Sequence, residues 1–214
     1  MSIIDIVRQR DIKQVLHFTT NRGLVGILDS GFLKSRKRLE KDQRLEFIFS
    51  PNAAFRKDRA WLDYVNLSLT RINSQFFDVS KNRWHRYRDI WWCVLSYDPV
   101  ILTHEGLYFT TTNNFYSGVR RATGPDGLEV MFGPKIFQYR DRKGDHIALR
   151  NDAMSQALPT CMQAEVLYPR QVSTDFLQQI YVATEEDADE VHGQLEALRH
   201  RQLRITVAPD VFAI

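Results

Sequence analysis

Cysteine, long apolar runs and excess charge of either sign are all scarce in this sequence. Only two of its 214 residues are cysteines, Cys93 and Cys161, and neither belongs to the C-x-x-C spacing that holds structural zinc. Two cysteines provide no disulfide framework in a chain of this length, which favours a reducing location. No apolar run approaches the roughly 20 residues of a membrane span, and early charged residues argue against an N-terminal signal peptide. We therefore expect a cytoplasmic protein with no membrane anchor and no metal centre.

The charge balance and the overall composition indicate an ordinary folded domain. Lysine and arginine exceed aspartate and glutamate by 29 − 26 = 3, an excess that points to a nucleic-acid partner only where the positive charge is clustered. Hydrophobic residues make up 43% and charged residues 26% of the chain, which provides enough apolar side chains for a substantial core. We expect residues 1–214 to form a single domain.

Alternating and apolar segments predict more strand than helix, without a regular β–α–β order. Residues 90–97 form a strongly apolar stretch, which predicts a strand buried on both faces. Residues 34–41 are basic and are expected to form a solvated connection, whereas the polar segment 108–152 is expected to be long, weakly structured and functional. The fold class is therefore α+β. The predicted strands are 15–18, 63–69, 90–97, 163–168, 180–183 and 205–207, and the predicted helices are 23–28, 52–59 and 185–201.

The strand predicted at 163–168 carries a lone carboxylate, Glu165, in a mostly apolar segment between two prolines. No lysine or arginine lies between Arg150 and Arg170 to pair with it locally. Because burying an unpaired carboxylate is costly, Glu165 either faces solvent, pairs with a distant cation or is kept for chemistry. Surface glutamates are common, so the pattern alone leaves these readings open.

A histidine at the end of the first predicted strand precedes a helix start. The imidazole of His17 can bond a hydroxyl group, and Thr19 stands beside a helix N-terminus whose N–H groups suit a ribose or a phosphate. The same two residues could instead satisfy a neighbouring carbonyl and cap the helix. Gly31 fits the end of that helix.

Two further groups of basic residues could contact an anionic ligand. Arg56, Arg59 and Arg71 flank the strand at 63–69 and could hold a pyrophosphate by bidentate hydrogen bonds, or simply be solvated. The second group interleaves arginines with aromatic rings, as surfaces for single-stranded nucleic acid do, unless the rings pack inward. Its members are Arg83, Trp84, Arg86 and Tyr87, with Arg120 and Arg121 as additions from a later segment.

Three motifs occur in an order and spacing that resemble one known family. They are H-F-T-T-x-x-x-L-x-x-I-L-x-x-G from His17, D-Y-V-N-L-S-L from Asp63 and Q-A-E-V-L from Gln163. Over about residues 17–167 the sequence resembles the DarT family of DNA ADP-ribosyltransferases, the toxins of DarT–DarG toxin–antitoxin pairs. The resemblance implies an α+β fold with an ADP-ribosyltransferase-like split, mixed β-sheet core and flanking helices.

The resemblance also implies an activity and roles for particular residues. NAD+ would be the co-substrate, ADP-ribose would be transferred to a base in single-stranded DNA, and a macrodomain antitoxin would be the protein partner. Glu165 would be the catalytic glutamate, assisted by Arg59 or Arg56, and segment 108–152 would contain the substrate-recognition loop. The family often has an asparagine where Gly23 stands. The residues expected to bind NAD+ are His17, Thr19, Arg56, Asn66 and Arg71.

Two other classes of function fit the same residues. One is a related NAD+ enzyme, either an RNA-directed ADP-ribosyltransferase or an RNA 2′-phosphotransferase, and the second of these needs no strand glutamate. The other is a non-enzymatic module that binds single-stranded nucleic acid. Transfer of label from NAD+ to DNA or RNA separates an enzyme from a binding module.

Overall fold

A computed structural model describes residues 1–39, 59–84 and 89–213 of the chain, and its elements form a mixed α+β fold. The strands are β1 Val15–Thr20, β2 Phe32–Lys34, β3 Tyr64–Leu69, β4 Trp92–Tyr97, β5 Tyr108–Thr110, β6 Arg121–Ala122, β7 Lys135–Asp141, β8 Gly144–Leu149, β9 Val166–Pro169, β10 Gln171–Ser173, β11 Leu177–Val182 and β12 Arg204–Val207. The α-helices are α1 Ile3–Gln9, α2 Asn21–Ser30, α3 Arg36–Leu39, α4 Ser74–Val79, α5 Gly124–Val130 and α6 Glu185–Ala197.

Eight of these strands form one mixed sheet in the order β12-β11-β4-β1-β3-β9-β5-β6. Strands β11 and β12 run parallel, and the other neighbours in the sheet are antiparallel. Strands β2 and β10 form a separate pair, and β7 and β8 form a hairpin beside the main sheet.

The main sheet is split between β1 and β3. Strand β1 pairs with β4 along its whole length, but it pairs with β3 only at Val15–Leu69 and Leu16–Ser68. Beyond Leu16 the ladder between β1 and β3 ends, although both strands continue with other neighbours. The split leaves backbone groups and side chains of the two strands facing an opening, which is where a ligand can enter a sheet.

A large apolar core packs around the strands on either side of this split. The strand predicted at 90–97 is observed as β4, whose residues from Cys93 to Tyr97 are all buried, which confirms that both of its faces are covered. Helix α2 buries Leu24, Ile27 and Leu28, as its periodicity predicts, and ends at Gly31, whose φ of 71° lies in the left-handed region that favours glycine.

Two segments differ from their predictions. Segment 108–152 is not weakly structured, because it contains β5, β6, α5 and the β7–β8 hairpin. The hairpin strands mix charged residues with exposed apolar ones, so their sequence shows no buried face that would predict a strand. The described part of segment 34–41, residues 34–39, is not a solvated connection, because Ser35 and Leu39 are buried. Residues 47–49, an apolar stretch, and most of the helix predicted at 52–59 lie outside the described residues.

The remaining strands and the last helix fall close to the predicted positions, with shifted ends. Strand β9 begins at Val166, so Glu165 lies immediately before the strand. Within the described part of the chain, none of the helices is long and apolar enough to cross a membrane.

Candidate active-site cleft

A cleft of about 550 Å³ opens where β1 and β3 part. Its walls come from β1, one side of α2, the β2–α3 segment, β3, α4 and the loop that follows β5. Four residues singled out in the sequence line this one cleft although they come from three separate segments of the chain: His17, Thr19, Asn66 and Glu165.

His17 occupies the position where the ladder between β1 and β3 would have continued. Its Nδ1 lies 3.0 Å from the backbone oxygen of Asn66, and because a carbonyl only accepts, Nδ1 must carry the proton. Burial lowers the pKa of His17 from its usual 6.5, and the hydrogen bond to Asn66 offsets this only in part. The ring is therefore neutral near pH 7, with Nε2 as an acceptor for a ligand hydroxyl.

The lowered pKa of His17 predicts a pH-dependent loss of stability. The unfolded chain binds a proton at His17 more readily than the folded chain does. The free energy of unfolding is therefore unaffected by His17 above pH 6.5 and decreases as the pH falls below that value. We expect the His17→Gln variant to lose less stability than the wild type between about pH 7 and pH 5. Urea unfolding at each pH checks this, with His192→Gln on the exposed face of α6 as the control for removing an imidazole. Equal pH slopes for the wild type and His17→Gln would contradict it.

Thr19 and Thr20 have different tasks at the start of α2. Thr20 is the N-cap, since its hydroxyl accepts from the Gly23 N–H at 3.2 Å. Thr19 is thereby left with its side chain on the cleft wall. A Cβ at position 23 would overlap the Thr19 hydroxyl oxygen, so Gly23 is the residue that makes room for this hydroxyl.

Glu165 is buried, with 6% of its surface exposed, and is held on both its backbone and its carboxylate. Its N–H donates to the Thr110 hydroxyl at 3.0 Å, and its carbonyl accepts from the Thr110 N–H at 2.9 Å. The carboxylate oxygen Oε2 accepts from the Asn114 N–H at 2.7 Å. The carboxylate is thus fixed in direction at the wall of the cleft, as a group that acts on a bound ligand must be.

The loop that holds the Glu165 carboxylate is itself held by Arg121. The guanidinium donates from Nε to the Asn114 side-chain oxygen at 2.6 Å and from Nη2 to the Asn114 carbonyl at 2.9 Å. The same guanidinium lies over the Trp61 ring, 4.9 Å from its centroid. A chain of contacts therefore runs from Trp61 through Arg121 and Asn114 to Glu165.

Sequence reasoning missed a basic segment of the cleft wall, Lys34, Ser35 and Arg36. The run of positive charge predicts a solvated segment, because runs of charge are usually exposed to water. Ser35 is the buried residue of this segment, and it donates to Asp63 at 2.8 Å while Arg38 donates to the same carboxylate at 3.1 Å. Partial burial acts to raise the pKa of Asp63, but these donors outweigh it and the pKa is lowered. The one sequence feature that could have indicated the burial of Ser35 is its position as an uncharged residue between two basic ones.

The other predicted site residues are not gathered in the cleft by the described structure. Arg71 is exposed and lines a neighbouring cavity instead, and its predicted contact with the cofactor stays a prediction. Arg120 is exposed, and Arg121 is bound to Asn114. Arg56, Arg86 and Tyr87 lie outside the described residues, as do the side chains of Arg59, Arg83 and Trp84, so their roles stay predictions. Among the described residues, no group of three or more histidines, cysteines or carboxylates could hold a metal ion.

Comparison of the chain with known proteins identifies one matching family. The family model described as DarT, ssDNA thymidine ADP-ribosyltransferase, matches residues 16–213. No curated protein shows a significant sequence match to the chain.

Solved structures resemble the chain over 94% of its length. Thermus sp. 2.9 DarT in complex with NAD+ is 18% identical with a TM-score of 0.62, and the match covers 98% of that chain. Thermus sp. 2.9 DarT in complex with ADP-ribosylated ssDNA is 16% identical with a TM-score of 0.60, and the match covers 97% of it. Thermosipho africanus DarTG in complex with ADP-ribose is 14% identical with a TM-score of 0.59, and this chain spans only 51% of its length. These likenesses confirm the predicted fold.

Proposed function

The chain belongs to the DarT family of single-stranded-DNA thymidine ADP-ribosyltransferases, and we propose that it transfers ADP-ribose from NAD+ to thymine with Glu165 as the catalytic residue. The membership makes the protein an NAD-dependent ADP-ribosyltransferase, and it decides against the RNA 2′-phosphotransferase and the non-enzymatic module. The observation that supports the residue assignment is the meeting of His17 and Glu165 in one cleft at the split of the sheet.

The cleft offers groups that suit the ribose hydroxyls, the pyrophosphate and the reacting carbon of NAD+. The acceptor Nε2 of His17 and the hydroxyl of Thr19 suit the hydroxyls of a ribose. Lys34 and Arg36 bring positive charge to the same wall and suit the pyrophosphate. Breaking the bond between nicotinamide and ribose builds positive charge on C1 and the ring oxygen, and a carboxylate fixed beside that carbon stabilises this charge.

The acceptor chemistry also requires a base. Thymine in DNA has one ring N–H, at N3, because N1 is bonded to the deoxyribose. When N3 bonds to C1 of the ribose, nicotinamide leaves with the electrons of the broken bond and the N3 proton must be removed. Glu165 takes that proton in our proposal, since its carboxylate is an acceptor and lies at the cleft wall.

The partner and the place of action follow from the same assignment. We propose that the protein is the toxin of a toxin–antitoxin pair, that a macrodomain antitoxin opposes it and that it acts on cytoplasmic DNA. The Thermosipho protein carries the DarTG name and was solved with ADP-ribose, which supports this pairing by likeness. Co-expression with a macrodomain protein should restore growth, and growth arrest that persists despite active macrodomain would oppose it.

The transfer reaction is tested directly with labelled NAD+. The purified protein is incubated with single-stranded DNA containing one thymidine, the same DNA lacking thymidine, the matching duplex and RNA. We expect label only on thymidine-containing single-stranded DNA, and none with Glu165→Ala. Label on DNA without thymidine would refute thymine as the target, and label on RNA alone would favour the RNA-directed alternative.

Gly23 provides a test of the Thr19 assignment. A methyl group at position 23 overlaps the Thr19 hydroxyl oxygen, so Gly23→Ala must turn that hydroxyl away from its ligand. Losing one hydrogen bond corresponds to about a tenfold rise in KM for NAD+, with kcat little changed. Steady-state kinetics check this, and Gly193→Ala, on α6 with open space around the new methyl group, is the control.

A double-variant cycle separates the Thr19 hydroxyl from a general disturbance of α2. If the hydroxyl carries the effect, Gly23→Ala adds little to a Thr19→Ala protein, because alanine has no atom at the position of the hydroxyl oxygen. Fully additive effects on KM would show that the methyl group acts elsewhere.

A further inference from the structure

A second cavity of about 510 Å³ adjoins the cleft and shares two side chains with it, Gln75 and Gln163. We propose that this cavity, called here the flanking groove, binds the nucleotide next to the target thymidine and that two glutamines at its boundary, Gln75 and Gln138, contact that nucleotide's base. The inference rests on the proposed function, because it assigns the strand's path beyond the reacting base.

Three elements bring one glutamine each to the boundary between the cavities. Gln163, two residues before Glu165, donates from Nε2 to the Gln75 side-chain oxygen of α4 at 2.7 Å. Its Nε2 also lies 3.5 Å from the side-chain oxygen of Gln138 on β7. Gln163 is buried, whereas Gln75 is exposed and Gln138 is half-buried, so this amide cluster has one fixed member and two that a ligand can reach.

The hairpin is positioned so that Gln138 reaches this boundary. The register of β7 against β8 shifts between Phe137 and Tyr139, which marks a bulge at Gln138, and bulges re-aim side chains. The carbonyl of Gln138 accepts from the Gly118 N–H at 2.9 Å. A Cβ at position 118 would overlap that carbonyl oxygen, so only glycine allows the hairpin to approach the 113–118 loop this closely.

The walls of the flanking groove suit an unpaired base and its phosphate. Leu149 and Met162 are largely exposed apolar side chains at the groove, with 64% and 48% of their surface open. Apolar side chains pack on the faces of bases, and amides form paired hydrogen bonds with base edges. Arg71 is exposed on the same groove and offers a cation to a phosphate. Amide, apolar and cationic groups together favour a nucleotide over a purely apolar ligand.

The position of the groove relative to Glu165 selects which nucleotide it takes. The target base must reach the ribose carbon in the cleft, beside Glu165. Gln163 lines both cavities and is separated from Glu165 by one residue. A strand whose target base enters the cleft therefore places an adjoining nucleotide over Gln163 and into the flanking groove.

An abasic scan of the substrate tests the proposal on the wild-type protein. The probes are short single-stranded oligonucleotides with one thymidine and an abasic site placed one position before or after it. Stacking and edge contacts predict that one of the two abasic probes lowers kcat/KM by about tenfold or more. If neither abasic neighbour changes kcat/KM by more than about twofold while the intact probe is labelled, the proposal is overturned. Failure to label the intact probe would instead refute the proposed function.

Two variants assign the effect to the groove. In Gln138→Leu, the penalty of the abasic neighbour should shrink to about a third or less, because the base contact is already lost. Gln156→Leu, an exposed glutamine of the nearby loop that does not line the groove, is the matched control. Arg71→Ala should raise KM for DNA and weaken its salt dependence, and Arg142→Ala at the hairpin tip should not. KM for NAD+ should stay unchanged in these two groove variants and in their two controls. Unaltered DNA kinetics in both Gln138→Leu and Arg71→Ala would place the neighbouring nucleotide elsewhere.

Discussion

Replacing Glu165 by glutamine is expected to lower kcat for transfer to DNA by about a hundredfold to a thousandfold, the cost of removing one main source of transition-state charge stabilisation. The substitution keeps the size of the side chain and an oxygen that can accept from the Asn114 N–H. The fold and the loop should therefore be retained, while the negative charge and the base are lost. Single-turnover transfer of labelled ADP-ribose to a thymidine-containing oligonucleotide measures the effect.

Binding of NAD+ separates this prediction from simple damage to the site. Glu165→Gln leaves the proposed NAD+-binding wall untouched, so the affinity for NAD+ should change by no more than about threefold. That wall consists of His17, Thr19, Lys34 and Arg36. Glu105→Gln, an exposed carboxylate before β5, is the control. Transfer at the wild-type rate by a properly folded Glu165→Gln protein would remove Glu165 from the mechanism.

The sequence could predict the parts of the site that depend on short-range pattern. The start of α2, its end at Gly31 and the doubly buried β4 follow from local capping and apolar runs. The resemblance of three motifs to the DarT family predicted that His17, Asn66 and Glu165 belong to one site, although no local pattern brings these residues together. Spacing alone left a structural role open for His17 and for Glu165.

What the sequence could not predict depends on pairings between distant segments. The burial of Ser35 follows from its bond with Asp63, 28 residues away, and a basic run carries no sign of that partner. Both strands of the β7–β8 hairpin lie beside the main sheet rather than in its core and expose apolar side chains such as Phe137 and Leu149, so hydrophobic alternation could not reveal the hairpin. Arg121 was assigned to nucleic acid because arginine beside aromatic residues is typical of such surfaces, and its contact with Asn114 is visible only in three dimensions.

Arg121 is expected to act on catalysis through Glu165 rather than through the DNA. Its two hydrogen bonds fix Asn114, whose N–H orients the Glu165 carboxylate. Lysine keeps the charge but cannot form the paired, planar contact. Because a misplacement of about 1 Å at a reacting group can cost up to about a hundredfold in rate, we expect Arg121→Lys to lower kcat by about tenfold to a hundredfold and to leave KM for DNA within about twofold.

Arg120 makes the two readings of this arginine pair distinguishable, because it is adjacent in sequence, exposed and not part of the contact with Asn114. If the pair served mainly to bind the phosphate backbone, Arg120→Ala and Arg121→Lys would both act on KM for DNA, and Arg121→Lys would act less because it keeps its charge. If Arg121 positions the loop, only its variant lowers kcat, and the loss persists at saturating DNA and NAD+. A kcat for Arg121→Lys equal to that of the wild type, with a raised KM for DNA, would return Arg121 to the nucleic-acid surface. A lowered kcat for Arg121→Lys with an unchanged KM for DNA would show that the charge of Glu165 is useful only while Asn114 is held in place. The site would then extend through Arg121 to the Trp61 ring.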